Sequence, residues 1–347
     1  FGIQGKNNEW IKCWLIGRSQ QVVLDGVFSE PCPASSGVPQ GSVLGPTLCL
    51  MYINDIGDGI QSNIRLFADD TIVYRTINCI ADAQILQEDL NRLYNWSQEW
   101  LMEFHPGKCK FLKVNRARTP IPTSYSLNGV LLGQVESLKY LGVTFSSDLK
   151  WGTHINSIVK KANQKLGFLK RNLRGAPMNS KQTAFFSIVR SGLEYAAPVW
   201  DPYQKGDIEK LQFVQRTAAR WVKSVYERKP GVVTKLLQDL KWPPLADRRR
   251  DLKLILLFKI YKGDVALSLD TFDIKFSERA TKAASVIEDD GITVTSYKLD
   301  PIDSKKAPLT NSTIPTAITL WNKTPGGVLR SGTTDIFKCA LKELNAP

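Results

Sequence analysis

The segment Ile64–Tyr74 (IRLFADDTIVY) decides how the N-terminal half of this 347-residue chain is interpreted. Two short runs rich in β-branched and aromatic residues flank Asp69 and Asp70, which predicts a tight hairpin with both carboxylates at its tip. Adjacent like charges disfavour joint ionisation, so a divalent cation would stabilise the pair. Carboxylate oxygens suit Mg²⁺, and two ions about 3.5–4 Å apart can clamp an in-line phosphoryl transfer. An Asp-Asp dipeptide is also an ordinary polar turn, and the surrounding motifs are needed to choose between the two interpretations.

The sequence around the hairpin changes character along the chain. A glycine- and proline-rich loop, Ser35–Pro46 (SSGVPQGSVLGP), precedes it. Strand and helix patterns alternate up to about residue 150, whereas helical periodicity dominates from Ser180 to about Gly263. From Asp264 onward the sequence is polar and threonine-rich, and the periodicity weakens. The pattern predicts a mixed α+β part followed by a helical part.

Basic charge is concentrated in the middle of the chain. The net charge is +13, and residues 1–100 carry −5, residues 101–250 carry +17 and residues 251–347 carry +1. Leu149–Leu193 contains nine basic residues and no acidic one. Such a field attracts phosphate backbones, although most charge runs are solvated helix faces. The basic residues that we expect on a nucleic-acid-facing helix are Lys160, Lys161, Lys165, Lys170 and Arg171.

Signals for export and for membrane insertion are missing from the sequence. The most apolar stretch, Leu254–Ile260, is far shorter than the roughly 20 residues that a bilayer requires. Six cysteines are scattered without a CxxC pair. We therefore expect a reduced, intracellular protein, in the cytoplasm or the nucleus, with no membrane partner. Phe1–Gly5 includes neither an initiator Met nor a signal region, which predicts that the chain begins inside a longer reading frame.

Together, these motifs resemble the reverse transcriptase domain of non-LTR retrotransposons, LINE-like elements of the jockey type. The sequence FADD at residues 67–70 matches the catalytic hairpin of the polymerase palm, with Asp69 and Asp70 as catalytic metal ligands. The sequence VPQGS at residues 38–42 matches the palm loop that lies along the nascent base pair. The nucleotide- and template-binding residues that the resemblance implies are Pro39, Gln40, Gly41, Ser42, Phe67 and Ala68.

Two downstream segments extend the resemblance. Lys108 stands where the family has a lysine near the leaving pyrophosphate, which implies a catalytic role, although a solvated turn lysine is about as plausible. Residues 137–145, expected to form one strand, contain a match to the palm–thumb junction that grips the primer end. The primer-grip residues that this implies are Tyr140, Leu141 and Gly142.

The resemblance implies an α+β fold and a specific set of partners. An incomplete right-hand polymerase palm, an antiparallel sheet with packed helices, would be followed by a helical thumb and an all-α region. The expected domains are partial fingers and palm (1–145), thumb (146–178), a helical C-terminal region (179–265), and a weakly structured tail with a closing segment (266–347). The expected partners are an RNA template, a DNA primer and deoxynucleoside triphosphates. The expected cofactor is a pair of Mg²⁺ ions, or Mn²⁺.

One catalytic carboxylate of such a palm has no match in the sequence. In the family, a third Asp lies upstream of the glycine-rich loop, and the acids found there, Glu9, Asp25 and Glu30, lack the matching context. We therefore expect an N-terminally truncated RNA-directed DNA polymerase fragment that does not polymerise DNA alone. Its palm sheet would lack the central strand. The alternative is a non-catalytic nucleic-acid-binding remnant of a decayed element.

Overall fold

The chain forms two compact units. A computed structural model describes residues 2–115, 121–227, 229–277, 298–302 and 312–344. The N-terminal unit comprises the described residues up to 111 and those from 121 to 135, and the C-terminal unit comprises residues 112–115 and the described residues from 136 onward. The finer division into four domains remains a prediction.

The N-terminal unit combines helices with short strands. Its helices are α1 (Lys6–Leu15), α2 (Leu44–Tyr52) and α3 (Ile80–Glu99). Its strands, of which β7 ends one residue inside the other unit, are β1 (Ser19–Gln20), β2 (Val23–Leu24), β3 (Val27–Phe28), β4 (Cys32–Pro33), β5 (Asn63–Phe67), β6 (Asp70–Tyr74), β7 (Lys110–Leu112), β8 (Ser126–Leu127), β9 (Val130–Leu131) and β10 (Gly133–Val135).

The strands of the described chain form six separate two-stranded ladders. In the N-terminal unit these are β1–β4, β2–β3, β5–β6, β7–β10 and β8–β9. Asp25-Gly26 and Asn128-Gly129 close two of the hairpins, with positive φ at each residue, as two-residue type I′ turns require. The mixture of helices and strands is confirmed, whereas one continuous palm sheet is not formed by the described strands. Local turn chemistry specifies each hairpin, but strands of two to five residues carry little information on longer-range pairing.

The C-terminal unit is mainly helical. Its single hairpin in the described chain joins β11 (Ser137–Tyr140) to β12 (Val143–Ser146), so the one strand expected over residues 137–145 is wrong. A π-helical turn, Phe185–Arg190, and a 3₁₀ turn, Asp270–Phe272, interrupt the α-helices. The α-helices are α4 (Gly152–Asn172), α5 (Met178–Ala184), α6 (Ser191–Glu194), α7 (Ala197–Trp200), α8 (Lys205–Lys223), α9 (Val232–Asp239), α10 (Leu245–Lys262), α11 (Thr313–Trp321), α12 (Gly326–Leu329) and α13 (Thr334–Leu344).

Two hydrophobic cores stabilise the C-terminal unit. The first packs α4 against α8 and the π-helical turn, with Trp200 and Phe185 fully buried. The second packs α10 against α11 and α13, where the rings of Phe258 and Phe337 stack with centroids 4.1 Å apart. The described part of the tail, residues 312–344, is thus helical and packed. Most of the polar stretch from 278 to 311 lies outside the described residues.

Two simpler features complete the description. All six cysteines are unpaired, and five of them are exposed. Within the described residues, no helix has the length and apolarity needed to cross a bilayer.

Candidate nucleotide and nucleic-acid sites

The two adjacent carboxylates lie at the turn of the β5–β6 hairpin, as the sequence predicts. Phe67 pairs with Asp70 across the ladder, so Ala68 and Asp69 form a two-residue turn and Asp70 begins the return strand. Ala68 has φ 52°, a left-handed conformation that costs a residue with a side chain about 1–2 kcal/mol. Both carboxylates are exposed. No hydrogen bond or ion pair within the described chain engages either side chain, so both are available to a ligand.

A buried carboxylate that sequence reasoning missed fixes the base of this hairpin. Asp89, on α3 and fully buried, accepts hydrogen bonds from the backbone N–H groups of Gln61 (3.0 Å) and Ser62 (2.7 Å). Arg92 donates to the same carboxylate at 2.7 Å. Burial alone would raise the pKa of Asp89, but the hydrogen bonds from Ser62, Gln61 and Arg92 hold it below 3.8. The chain therefore enters β5 from a fixed point on α3.

Helix α3 also fixes the end of α2. The indole Nε1 of Trp96 donates to Asp55 Oδ1 at 2.9 Å, and the Tyr52 hydroxyl donates to the Trp100 carbonyl at 2.5 Å. Leu93 of α3 and Ile53 beyond α2 are both buried. The helix that follows the glycine-rich loop and the hairpin that carries the carboxylates are thus both anchored to α3.

The glycine-rich loop is closed by Ser42. Its Oγ donates to the Pro39 carbonyl at 2.7 Å and accepts from the Gly45 N–H at 3.1 Å. A Cβ added at Gly45 would lie 2.7 Å from Ser42 Oγ, so this close turn requires glycine there. The Ser42 hydroxyl is engaged inside the loop, whereas Gln40 and Gly41 are exposed. Of the four loop residues implied to contact nucleotide, those two are the most accessible.

An open depression of about 240 Å³ lies on this loop. Pro39, Gln40, Gly41 and Cys49 contribute to its lining, together with neighbouring loop residues. The lining is mostly apolar and includes backbone that a glycine leaves uncovered. Such a surface suits the flat face of a base better than it suits a phosphate.

Lys108 lies in the turn that follows α3. Its backbone N–H donates to the His105 carbonyl at 2.9 Å, and its side chain is exposed. Among the contacts of the described residues, none joins Lys108 to Asp69 or Asp70. The structure therefore places Lys108 at the surface of the same unit without bringing it to the carboxylates.

The carboxylate pair fits one divalent ion by its donor chemistry. Mg²⁺ is commonly bound through one or two carboxylates, with waters and substrate phosphates as the remaining ligands. No third His, Cys, Asp or Glu gathers with Asp69 and Asp70 in the part of the chain that the structure describes. The described residues therefore supply oxygen ligands suited to one ion and do not assemble a protein site for a second.

The primer-grip residues lie at the turn of the β11–β12 hairpin. Tyr140 pairs with Val143, and the turn consists of Leu141 (φ 45°) and Gly142 (φ 84°). Positive φ at both positions defines a type I′ geometry, which Asn-Gly adopts readily and Leu does not. Leu141 therefore costs about 1–2 kcal/mol in this conformation, which surrounding contacts must offset.

Helix α4 presents most of the predicted basic residues to solvent. Lys160, Lys161, Lys165 and Arg171 are exposed, opposite a buried stripe that includes Leu166. Lys170 differs from these four because it is half-buried beside that stripe, and burial lowers its pKa. The structure thus brings four of the five basic residues onto the solvent side of one helix.

His154 is a second residue that no sequence pattern singles out. Its Nδ1 accepts a hydrogen bond from the Thr144 N–H of β12 at 3.2 Å, and its ring lies 5.2 Å from the Trp200 ring, centroid to centroid. Burial, followed by the charge of Lys161, lowers its pKa from 6.5 to about 4. A neutral imidazole therefore connects the primer-grip hairpin to the start of α4.

Comparison with known proteins agrees with the local geometry. Residues 1–145 match the family described as reverse transcriptase (RNA-dependent DNA polymerase). The chain therefore contains a reverse transcriptase domain.

This domain is homologous to RNA-directed DNA polymerases of non-LTR retrotransposons, which confirms the resemblance found in the sequence. The polymerase from mobile element jockey of Drosophila funebris is 29% identical over 255 residues, covering 70% of this chain and 27% of that protein. The jockey polymerase of Drosophila melanogaster is 28% identical over 290 residues, covering 78% and 31%. The probable polymerase from transposon BS of Drosophila melanogaster is 28% identical over 226 residues, covering 60% and 25%.

The chain thus spans between a quarter and a third of the length of these curated relatives. No solved structure matches it.

Proposed function

We propose that the N-terminal unit carries part of the catalytic palm of an RNA-directed DNA polymerase. Asp69 and Asp70 would be its metal ligands. The single observation that carries this proposal is the exposed carboxylate pair at a tight β-turn, anchored through Asp89 to α3. A structural role would not require two unpaired carboxylates to be held beside each other.

The residues of this unit have distinct roles in the proposal. Asp69 and Asp70 hold divalent metal, preferably Mg²⁺ with Mn²⁺ as a substitute. When bound, such ions stabilise the attacking and leaving oxygens of in-line nucleotidyl transfer. Gln40 and Gly41 present exposed backbone to the nascent base pair, and Phe67 and Ala68 shape the turn. Lys108 is the proton donor to the leaving pyrophosphate, which requires approach to the substrate phosphate rather than to the carboxylates.

The C-terminal unit would bind the nucleic acid. Four exposed cations on the acid-free helix α4 match the charge of a sugar–phosphate backbone. The type I′ turn at Leu141 and Gly142 would support the primer end. Palm and thumb are therefore the roles that we propose for the two units, with an RNA template, a DNA primer and deoxynucleoside triphosphates as ligands.

A third metal-binding carboxylate would be needed for full activity. We propose that the 347-residue chain by itself binds primer–template without extending it, because two carboxylates hold the metal pair poorly. The second candidate function, a non-catalytic nucleic-acid-binding remnant, is favoured by the same observation, namely that the described residues gather two acids and no third.

The experiment that separates the two compares the chain with a longer version. Genomic sequence upstream of Phe1 is read in frame, and an Asp-containing palm motif found there is included in the longer protein. Primer extension on an RNA template with Mg²⁺ is expected from the longer protein and is expected to be absent from the 347-residue chain. Asp69→Ala in the longer protein should reduce extension to background with RNA affinity nearly unchanged.

The matched control for Asp69→Ala is Asp58→Ala, an exposed aspartate in the same unit, which should leave extension intact. An upstream stop or an unrelated exon would favour the remnant. Equal loss of RNA binding and extension in Asp69→Ala would show that Asp69 is structural. Extension by the 347-residue chain alone would overturn the proposed need for a third carboxylate.

A further inference from the structure

The primer-grip turn is in direct contact with a tyrosine 54 residues further along the chain. The hydroxyl of Tyr195 donates a hydrogen bond to the Leu141 carbonyl at 3.1 Å. A Cβ added at Gly142 would lie 3.1 Å from Cε1 of the same ring, so the ring lies against the glycine. Tyr195 thus touches both residues of the turn, with its hydroxyl on one and its ring on the other.

The carbonyl that accepts this hydrogen bond belongs to the central peptide of the turn. Types I′ and II′ differ mainly by rotation of that peptide, and the second turn residue has positive φ in type I′ and negative φ in type II′. Gly142 is the second residue, with φ 84°. A hydrogen bond to the Leu141 carbonyl therefore selects the type I′ orientation at a residue with little preference for it.

Tyr195 is itself held from the core. The buried indole of Trp200 donates through Nε1 to the Tyr195 carbonyl at 2.8 Å. The Trp200 ring packs against His154, and His154 accepts from the Thr144 N–H in the return strand of the same hairpin. The series of contacts that begins at Leu141 thus returns to the hairpin, which is held at its turn and at its strand.

We propose that Tyr195 is a positioning residue for the primer terminus. It keeps the Leu141–Gly142 peptide in the one orientation that supports the terminal nucleotide. This inference rests on the proposed function, which assigns that turn to the primer end. The Tyr195 side chain is largely exposed, so loss of its hydroxyl removes the hydrogen bond without opening a cavity in the core.

The test uses the full 347-residue chain and a DNA primer annealed to an RNA template. One duplex carries 2-aminopurine at the primer 3′ end and a second carries it well inside the duplex, so that fluorescence reports each environment separately. On binding to the unaltered protein, the terminal probe should change and the internal probe should not. Tyr195→Phe should reduce the terminal change about two- to tenfold, the effect of losing one hydrogen bond. Overall affinity and melting temperature should stay nearly constant.

Gly142→Ala provides an independent variant. An added methyl group favours negative φ at this position and would crowd the tyrosine ring, so the peptide should rotate and the terminal signal should fall as in Tyr195→Phe. Tyr203→Phe is the matched control, because Tyr203 is also an exposed tyrosine of the same unit. This control should leave both probes unchanged.

The outcomes separate the inference from its basis. An unchanged terminal signal in Tyr195→Phe, with a normal response from the unaltered protein, overturns the positioning role alone. A lowered melting temperature with equal weakening of both signals shows a merely structural role and also overturns it. Duplex binding without any terminal response overturns the primer-grip proposal, and absence of duplex binding overturns the proposed nucleic-acid function. The positioning role falls with either.

Discussion

The two units treat their acidic residues in opposite ways. In the N-terminal unit, Asp69 and Asp70 lie exposed at a hairpin turn. In the C-terminal unit, Asp201 is enclosed by Arg249 (2.6 Å) and Lys253 (2.7 Å). Acids of the first kind are available to a metal or a substrate, whereas acids of the second kind are neutralised within the protein. The basic charge left on the surface of the C-terminal unit is therefore free to attract nucleic acid.

Removal of Asp201 should have the largest effect on stability. Asp201→Ala leaves Arg249, which is 1% exposed, and Lys253 as buried cations without their carboxylate. Breaking a buried pair in this way costs about 3–5 kcal/mol. Denaturant unfolding combined with hydrogen exchange should place the loss in the C-terminal unit.

The matched control for Asp201→Ala is Glu209→Ala, which removes an exposed pair with Arg216 and should cost at most about 1 kcal/mol. A similar small cost for both variants would show that the contrast in burial between the two kinds of acid has no energetic consequence.

Titration of His154 should give the next largest effect. Its pKa is about 4 in the folded protein and 6.5 as the ordinary value, so the unfolded chain binds a proton that the folded chain does not between those values. Stability of the C-terminal unit should therefore decline as the pH falls from 6.5 to about 4, by a total of roughly 3 kcal/mol.

Unfolding free energies measured across this pH range test the expectation. His154→Gln should remove most of the decline, because the amide does not titrate. His105→Gln alters an exposed histidine of the N-terminal unit and should preserve the decline. The same pH slope in His154→Gln would assign the effect to another group.

Asp89 provides the corresponding test in the N-terminal unit. Asp89→Ala leaves the buried N–H of Ser62 without its acceptor and should destabilise the unit by about 1–3 kcal/mol. The folded pKa of Asp89 is lowered, so its contribution is present above 3.8 and is lost as the pH falls through the folded value. Hydrogen exchange of β5 and β6 should rise in this variant. The control, Glu88→Ala, removes an exposed neighbour on the same helix and should leave exchange unchanged.

The smallest change in free energy per residue is expected on the basic face of α4. Replacing Lys160, Lys161 and Lys165 together with Gln should weaken duplex binding and reduce its logarithmic salt slope by about 0.9 for each phosphate that the protein no longer neutralises. Affinity measured at several salt concentrations reports both quantities. The control replaces three exposed lysines elsewhere in the same unit, Lys205, Lys235 and Lys241. Equal effects in both variants would indicate a response to net charge rather than a specific surface.

Features fixed by neighbouring residues could be predicted from the sequence. The carboxylate hairpin follows from β-rich flanks and a short turn, and the basic face of α4 follows from helical spacing and an acid-free run. The β11–β12 hairpin was not predictable in this way, because Leu141 occupies a position with positive φ that leucine rarely adopts.

Contacts between distant residues left no signal in the sequence. Arg249 lies 48 residues from Asp201, and Asp89 lies 27 residues from Ser62. Each of these residues is an ordinary charged or polar position on its own segment. Their importance comes from burial, which depends on how the helices pack rather than on local periodicity. The same holds for Tyr195, whose contact with Leu141 depends on the turn between α6 and α7.

The π-helical turn Phe185–Arg190 adds a constraint on how this chain can change length. A π-turn holds one residue more than the α-helical turn that it replaces. Deletion of a single residue there would restore the α-helix and rotate the segment that follows by about 100°. Glu194 would then turn away from Arg248, with which it forms a bidentate ion pair. In terms of sequence length, this turn sets the phase between α5 and α6, and neutral deletions should be excluded from it.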